Sequence, residues 1–297
     1  MNITCTSIGF LAAQSMHPNA LAKILGVTSR GIFLILDGQS VVFLSKEKHC
    51  GPLSITLPEK SLDPLILAKE TPVQIGENLI VFDDKWQFYL PPDTIWRPAP
   101  PPPVLAFTRA QLLDLAQTLL SSKQEQGLYT FLPEIIGQTA IQISGELSLY
   151  VLPIRKTIEG LGEPQPQRLI EAFSPLFGLG RGLTPSGDDF ISGLILALNR
   201  YPAFSPFQAV TLNRLNLHTL DLARKKTTSL STCLLQASTL GAADERFLTA
   251  LDGFLSQSLS AGQIADCLLS IGNSSGLDMW CGVATILAPF AQQVSDE

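Results

Sequence analysis

Gly178-Leu-Gly-Arg-Gly-Leu-Thr-Pro-Ser-Gly-Asp-Asp-Phe-Ile-Ser-Gly193 sets three glycines at alternate positions ahead of a polar cluster and an apolar run. Glycine at 178, 180 and 182 opens backbone conformations closed to other residues and lets a ligand approach the main chain closely. Ser186 is read as the N-cap of a helix that begins with Gly187-Asp188-Asp189. A glycine loop feeding a helix N-terminus points N–H donors and the positive end of the helix dipole the same way, which suits phosphate or carboxylate. The two aspartates complicate this, because first-turn carboxylates already satisfy the dipole. An incoming anion needs them protonated, turned away, bridged by a cation or used as a base. An ordinary capped helix after a glycine turn would account for Ser186 but not for the whole run.

Downstream the pattern is mostly helical. Apolar spacing predicts helices over 168–176, 189–199, 207–225, 229–238, 244–258, 261–269 and 277–290, and another over 109–120 capped by Thr108. Short strands are expected at Ile141–Ile143 and Leu147–Leu152. Upstream the periodicity changes. Gly31–Leu36 and Ser40–Leu44 flank Asp37-Gly38, a strong hairpin signal. Leu53–Leu57 alternates, and Leu79–Phe82 with Trp86–Leu90 reads as a second hairpin. Pro91, Pro92, Pro98 and the run Pro100 to Pro103 mark a stiff connector. The expected fold class is therefore α+β: a β-rich domain over 1–97, a connector over 98–104, and a mainly helical domain over 105–297.

At 297 residues, 45% hydrophobic and 15% charged, the chain is globular in composition. A net charge of −6 argues against the electrostatic footprint of nucleic-acid binding. Cys5, Cys50, Cys233, Cys267 and Cys281 show no metal-ligand spacing and cannot all pair, which fits a reducing compartment. No basic residue precedes Lys23, so a secretory signal is not expected, and no apolar run reaches membrane-spanning length. The expectation is a soluble cytoplasmic protein.

The central pattern recurs. Ser186-Gly187-x-Asp189-x-x-x-Gly193 returns, every position displaced equally, as Ser275-Gly276-x-Asp278-x-x-x-Gly282. Each copy predicts a serine-capped helix start, an acid in the first turn and an interior glycine. A helix-interior glycine costs about 1 kcal/mol relative to alanine, so a close crossing of the two helices is the physical reason to expect at 193 and 282. Asp189 and Asp278 would then face one cavity. Between the copies, Thr227, Thr228, Ser229 and Ser231 crowd hydroxyls beside another helix start, where they can cap, donate to an oxyanion or orient a carboxylate.

Together these segments, Gly180-x-Gly182-Leu-Thr-Pro-Ser-Gly-Asp-Asp189, Thr227-Thr-x-x-Ser231 and Gly272-x-x-Ser-Gly-x-Asp278, resemble the AllH-like family. The resemblance implies a subunit of an oxamate carbamoyltransferase, relating oxalurate and phosphate to oxamate and carbamoyl phosphate in allantoin and purine nitrogen breakdown. It also implies partner subunits. The sequence departs from the family pattern at Arg181 and Asn273, so neither is carried over as catalytic. Carbamoyl transfer needs an anion pocket, donors for a developing oxyanion and a group that handles the amide proton. Asp189, Asp278 and Ser231 are the catalytic candidates. Gly180, Gly182, Thr184, Ser186, Gly187, Asp188, Thr227, Thr228, Ser274, Ser275 and Gly276 are candidates for holding a small anionic substrate such as carbamoyl phosphate or an oxamate-like molecule. No histidine lies in a motif, which disfavours a serine–histidine nucleophile. Two alternatives stand beside this reading. One is a Mg²⁺-dependent phosphoryl-transfer enzyme using the aspartates as ligands; the other is a non-catalytic, anion-binding subunit. No other cofactor or metal is implied, and neither nucleic acid nor membrane is an expected partner.

Overall fold

A computed structural model describes residues 2–58, 72–82, 86–122, 127–138, 143–162 and 165–292. It has two compact units: Met1–Ala99 with Ala243–Glu245, and Pro100–Ala242 with Arg246–Glu297. The fold is α+β, as the change of periodicity predicts.

Among the described residues the first unit is a ten-stranded sheet with one short α-helix. Its strands are β1 (Asn2–Thr4), β2 (Ser7–Gly9), β3 (Leu21–Thr28), β4 (Gly31–Leu36), β5 (Ser40–Ser45), β6 (Ser54–Thr56), β7 (Pro72–Gly76), β8 (Leu79–Phe82), β9 (Trp86–Tyr89) and β10 (Ile95–Trp96); the helix is α1 (Phe10–Ser15). The strand order is β1-β9-β8-β7-β3-β4-β5-β6-β2-β10. The N-terminal segment bends between its two strands, so that Cys5 N–H donates to Tyr89 O on one side and Thr6 N–H to Thr56 O on the other. That link curls the sheet around a continuous apolar core that includes Ile24, Leu34, Val42, Ile55, Ile80 and Phe88. The first expected hairpin forms with Leu36 opposite Ser40. Asp37 and Gly38 have φ of 49° and 72°, and Gln39 N–H bonds Leu36 O. This is the type I′ geometry that matches strand twist. The second forms with Phe82 opposite Trp86.

The second unit is helical: α2 (Arg109–Leu120), α3 (Leu132–Ile135), α4 (Ser148–Leu161), α5 (Pro166–Phe173), α6 (Ser186–Arg200), α7 (Ala209–Lys226), α8 (Ser229–Thr239), α9 (Glu245–Leu255), α10 (Ala261–Leu269) and α11 (Ser275–Leu287). The expected helix boundaries are met within three residues at every end. Thr108 caps α2 in a reciprocal pair with Gln111. Two expectations fail. Leu147–Leu152 is not a strand but enters α4, in which Tyr150, Pro153, Ile154 and Thr157 turn inward at helical spacing while Leu149 and Leu152 are exposed. The six-residue apolar window was too short to separate period two from period 3.6. Of the other expected strand, Ile141 and Gln142 lie outside the described residues, and Ile143 is not in a strand.

α6 runs through the middle of this unit, with every residue buried except Ser186 and Asn199. α11 crosses it backbone to backbone. A Cβ on Gly193 would lie 1.8 Å from Met279 O, and one on Gly282 would lie 2.0 Å from Phe190 O. The paired interior glycines are there because the two main chains touch.

Candidate functional site

The glycine that follows serine in each copy is also explained by packing. A Cβ at Gly187 would meet Leu176 O at 2.1 Å, and one at Gly276 would meet Leu268 O at 2.1 Å. Their N–H groups are engaged as well, Gly187 with Leu179 O and Gly276 with Ile271 O. Both glycines therefore seat a helix start on the chain before it, leaving no side chain and no free amide for a ligand.

Serine does not cap either helix. The α6 cap position is Pro185, and Ser186 is the first helical residue, its hydroxyl turned to Tyr150 and Asp278. In α11 the cap position is Ser274, which makes no side-chain cap; its Oγ donates to Asp278 Oδ2 at 2.9 Å. Ser275 Oγ instead lies 3.1 Å from Thr184 Oγ1. These hydroxyls are drawn away from capping because buried carboxylates nearby need donors more than the helix ends do. α8 keeps an ordinary cap, Thr228 Oγ1 accepting from Ser231 N–H at 3.0 Å.

Three aspartates are buried at these helix starts: Asp188 at 1%, Asp189 at 3% and Asp278 at 0% exposure. Asp188 accepts from Gly178 N–H at 2.8 Å, from Thr227 Oγ1 and from the Ser231 hydroxyl. It thus ties the glycine loop to the start of α8. Asp278 accepts from Leu128 N–H, Ser274 and Ser186. Asp189 is bonded by the hydroxyls of Thr184 and Ser275, yet its Oδ2 is buried with no hydrogen-bond partner among the described residues. Burial lifts all three carboxyls above the ordinary range. The Asp278 carboxyl moves up to about 6, and that of Asp189 rises well above its ordinary value, with neighbouring Asp278 adding to the effect of burial.

The loop before α6 has the opposite character. Gly178, Gly180 and Gly182 have φ of 70°, 127° and 95°. Among the described residues the backbone N–H groups from Gly180 to Thr184, and that of Ser186, donate to nothing. Residues of positive φ alternating with ordinary ones turn successive N–H groups toward a common concavity. Loop and helix starts are also joined: Thr228 Oγ1 lies 3.0 Å from Leu183 O, and Thr184 meets Ser275. The starts of α6, α8 and α11 thus converge on one loop.

Residues 176–287 match the family model described as oxamate carbamoyltransferase subunit AllH. That stretch of the helical unit is similar to this family. The match runs from Leu176, whose carbonyl occupies the space beside Gly187, to Leu287 at the end of α11, and it takes in both copies of the repeat. No solved structure matches the chain.

Two contributors to this centre were not read from the sequence. Tyr150, from the stretch misread as a strand, donates its hydroxyl to Leu179 O at 3.0 Å and would touch a Cβ on Gly180. Burial and the nearby Asp278 push its phenol up to about 12. Gly127, with φ of 128°, brings the Leu128 amide to Asp278; a Cβ there would lie 3.2 Å from Asp278 Oδ1. A lone glycine and a lone tyrosine carry no sequence signal for these roles.

The raised carboxyls fix a pH dependence. A carboxyl that binds its proton more tightly folded than unfolded favours the folded state at low pH, and that advantage is lost as pH rises through the folded value. For Asp278 the window runs from about 3.8 to about 6 and corresponds to about 3 kcal/mol. Urea denaturation should therefore show wild-type stability falling relative to Asp278→Asn across that window; a relative rise would contradict the burial described.

Proposed function

We propose that this chain is a carbamoyltransferase subunit whose helical unit binds an oxamate-like amide and carbamoyl phosphate. The observation that carries the reading is the row of unbonded amides from Gly180 to Thr184 beside Asp189, whose Oδ2 is the one unpartnered oxygen of the three buried carboxylates among the described residues. The amides would hold phosphate or carboxylate. Thr184 and Ser275 would donate to the carbamoyl oxygen as it gains charge, and Asp189 would handle the amide proton. Asp188 and Asp278 would act as positioning residues, since donors from the chain already occupy both. Ser231, Thr227 and Thr228 would support Asp188 and the loop rather than attack substrate, and Ser186 and Ser274 would do the same for Asp278.

The family description names a subunit, which supports an assembly with partner chains; a place in allantoin nitrogen breakdown is what the family resemblance implies. Free cysteines at all five positions support a reducing, cytoplasmic setting, and no helix among the described residues is long and apolar enough to cross a membrane. Residues 1–97 and 105–297 are taken as separate domains joined by the 98–104 connector. Among the described residues no three His, Cys, Asp or Glu side chains are placed to hold a metal ion together, so the Mg²⁺ alternative would depend on one or two of the aspartates acting with substrate phosphate. The non-catalytic alternative shares the anion site and differs only in lacking turnover.

A carbamoyl-transfer assay on the chain with and without its partner subunits tests the reading. Gly182→Val tests the loop. No atom lies within 4 Å of a Cβ at 182, but the φ of 95° is strained for valine. The variant should stay folded and bind phosphate at least about tenfold more weakly, the loss expected when about 1.4 kcal/mol of binding energy goes. Equal affinity in a calorimetric titration would remove the loop from the site.

A further inference from the structure

Asp189 Oδ2 is closed to solvent and unpartnered among the described residues, although the same side chain receives the hydroxyls of Thr184 and Ser275. The groups acting on it are anionic or neutral. Asp278 faces it from α11 and Asp188 adjoins it on α6; Tyr150 from α4 and Cys281 from α11 lie in the field of Asp278. The nearest loop cation, Arg181, is exposed and paired with Glu146. An ionised Asp189 would be a buried charge with idle acceptor capacity next to another carboxylate, an arrangement that proteins avoid. As a carboxylic acid the same oxygen becomes a donor, and the loop amides can accept an anion beside it without repulsion.

We propose that Asp189 is the neutral acid of this centre and that its Oδ2–H protonates the nitrogen released when an N-carbamoyl amide is cleaved by phosphate. A phosphate oxygen bonds to the carbamoyl carbon. The carbon–nitrogen bond breaks with its electron pair passing to nitrogen, and that nitrogen takes the Asp189 proton to leave as a free amide. In the reverse direction the amide returns the proton to Asp189 as the carbon–nitrogen bond forms and phosphate departs. Burial of Oδ2 keeps this proton from bulk water. The leaving-group role rests on the carbamoyl-transfer reading; the protonation state does not.

Infrared spectroscopy of the full chain at neutral pH, in water and in heavy water, tests the acid directly and needs no variant. The expected result is a deuterium-sensitive carbonyl band of a buried carboxylic acid that disappears in Asp189→Asn. That variant should melt no lower than the wild type, because a neutral carboxamide replaces a neutral acid of the same shape. With partner subunits present, its phosphate-dependent cleavage of an N-carbamoyl amide should fall about 100-fold or more, and the wild-type rate should decline as pH rises. A missing band, a band that survives in Asp189→Asn, or a variant keeping more than about a tenth of the rate overturns the inference. A wild type that shows the band but no phosphate-dependent cleavage overturns the carbamoyl-transfer reading and the leaving-group role together, whereas a missing band overturns the acid state and the leaving-group role and leaves the carbamoyl-transfer reading standing.

Discussion

Gly193→Ala should destabilise the helical unit by on the order of 3 kcal/mol or more, although alanine in a helix interior is ordinarily favoured over glycine by about 1 kcal/mol. The reversal follows from the crossing. The new methyl would sit 1.8 Å from Met279 O, 2.6 Å from its carbonyl carbon and 2.9 Å from its Cα, all of them main-chain atoms that cannot rotate aside. α11 must move as a body, carrying Asp278 with it. Gly282→Ala should act alike, since its methyl would strike Phe190 O at 2.0 Å and Leu194 N at 2.7 Å. Gly262 in α10 is the control: a Cβ there meets nothing within 4 Å, so Gly262→Ala should be neutral or slightly stabilising. Urea midpoints of the three variants check the ordering. If Gly193→Ala proved as benign as Gly262→Ala, the crossing could not be as close as described.

The second large effect is expected at Asp188. Asp188→Ala removes the acceptor for Gly178 N–H, Thr227 Oγ1 and the Ser231 hydroxyl at once. A buried donor left without a partner costs about 1 to 3 kcal/mol, which applies in full to Ser231 and less to half-buried Thr227 and exposed Gly178. The three losses are coupled rather than additive, so a total on the order of 3 kcal/mol is expected. Asp188→Asn should cost less, because its amide oxygen can still accept from Gly178 while its NH₂ faces the Thr227 hydroxyl. Amide hydrogen exchange at Gly178 should accelerate in both variants, more in alanine than in asparagine. Equal losses for the two substitutions would mean that side-chain volume, and not the acceptor oxygens, holds the loop to α8.

The part of the fold that rests on local chemistry was legible. Asp37-Gly38 carries its own turn geometry, and Thr108 with Gln111 builds a cap from residues three apart. Helices long enough to show several turns of apolar spacing declared themselves. Where the window was short or the period interrupted, the reading failed. Leu147–Leu152 offered too few residues to reveal α4, and β3 went unseen because its register shifts between Ile24 and Gly26, which breaks the alternation that marks a strand. The short strands β1 and β2 are strands only because each finds partners remote in sequence, β9 for the first and β6 and β10 for the second.

The sequence by itself determined that two copies of one helix start exist and that their interior glycines call for a close crossing, because a glycine in a helix interior needs a reason and the repeat supplied the same one twice. Which carboxylate keeps an oxygen without a donor was decided only by the tertiary structure. Asp188, Asp189 and Asp278 look equivalent as first-turn acids. They differ because Gly178, Thr227 and Ser231 close on the first, and Leu128, Ser274 and Ser186 on the third, while Thr184 and Ser275 leave one oxygen of the second without a donor. Helical periodicity orders a side chain along its own axis. It cannot say which donors from other helices and loops will reach that side chain, and in a buried cluster those donors set both its charge and its freedom to meet a ligand.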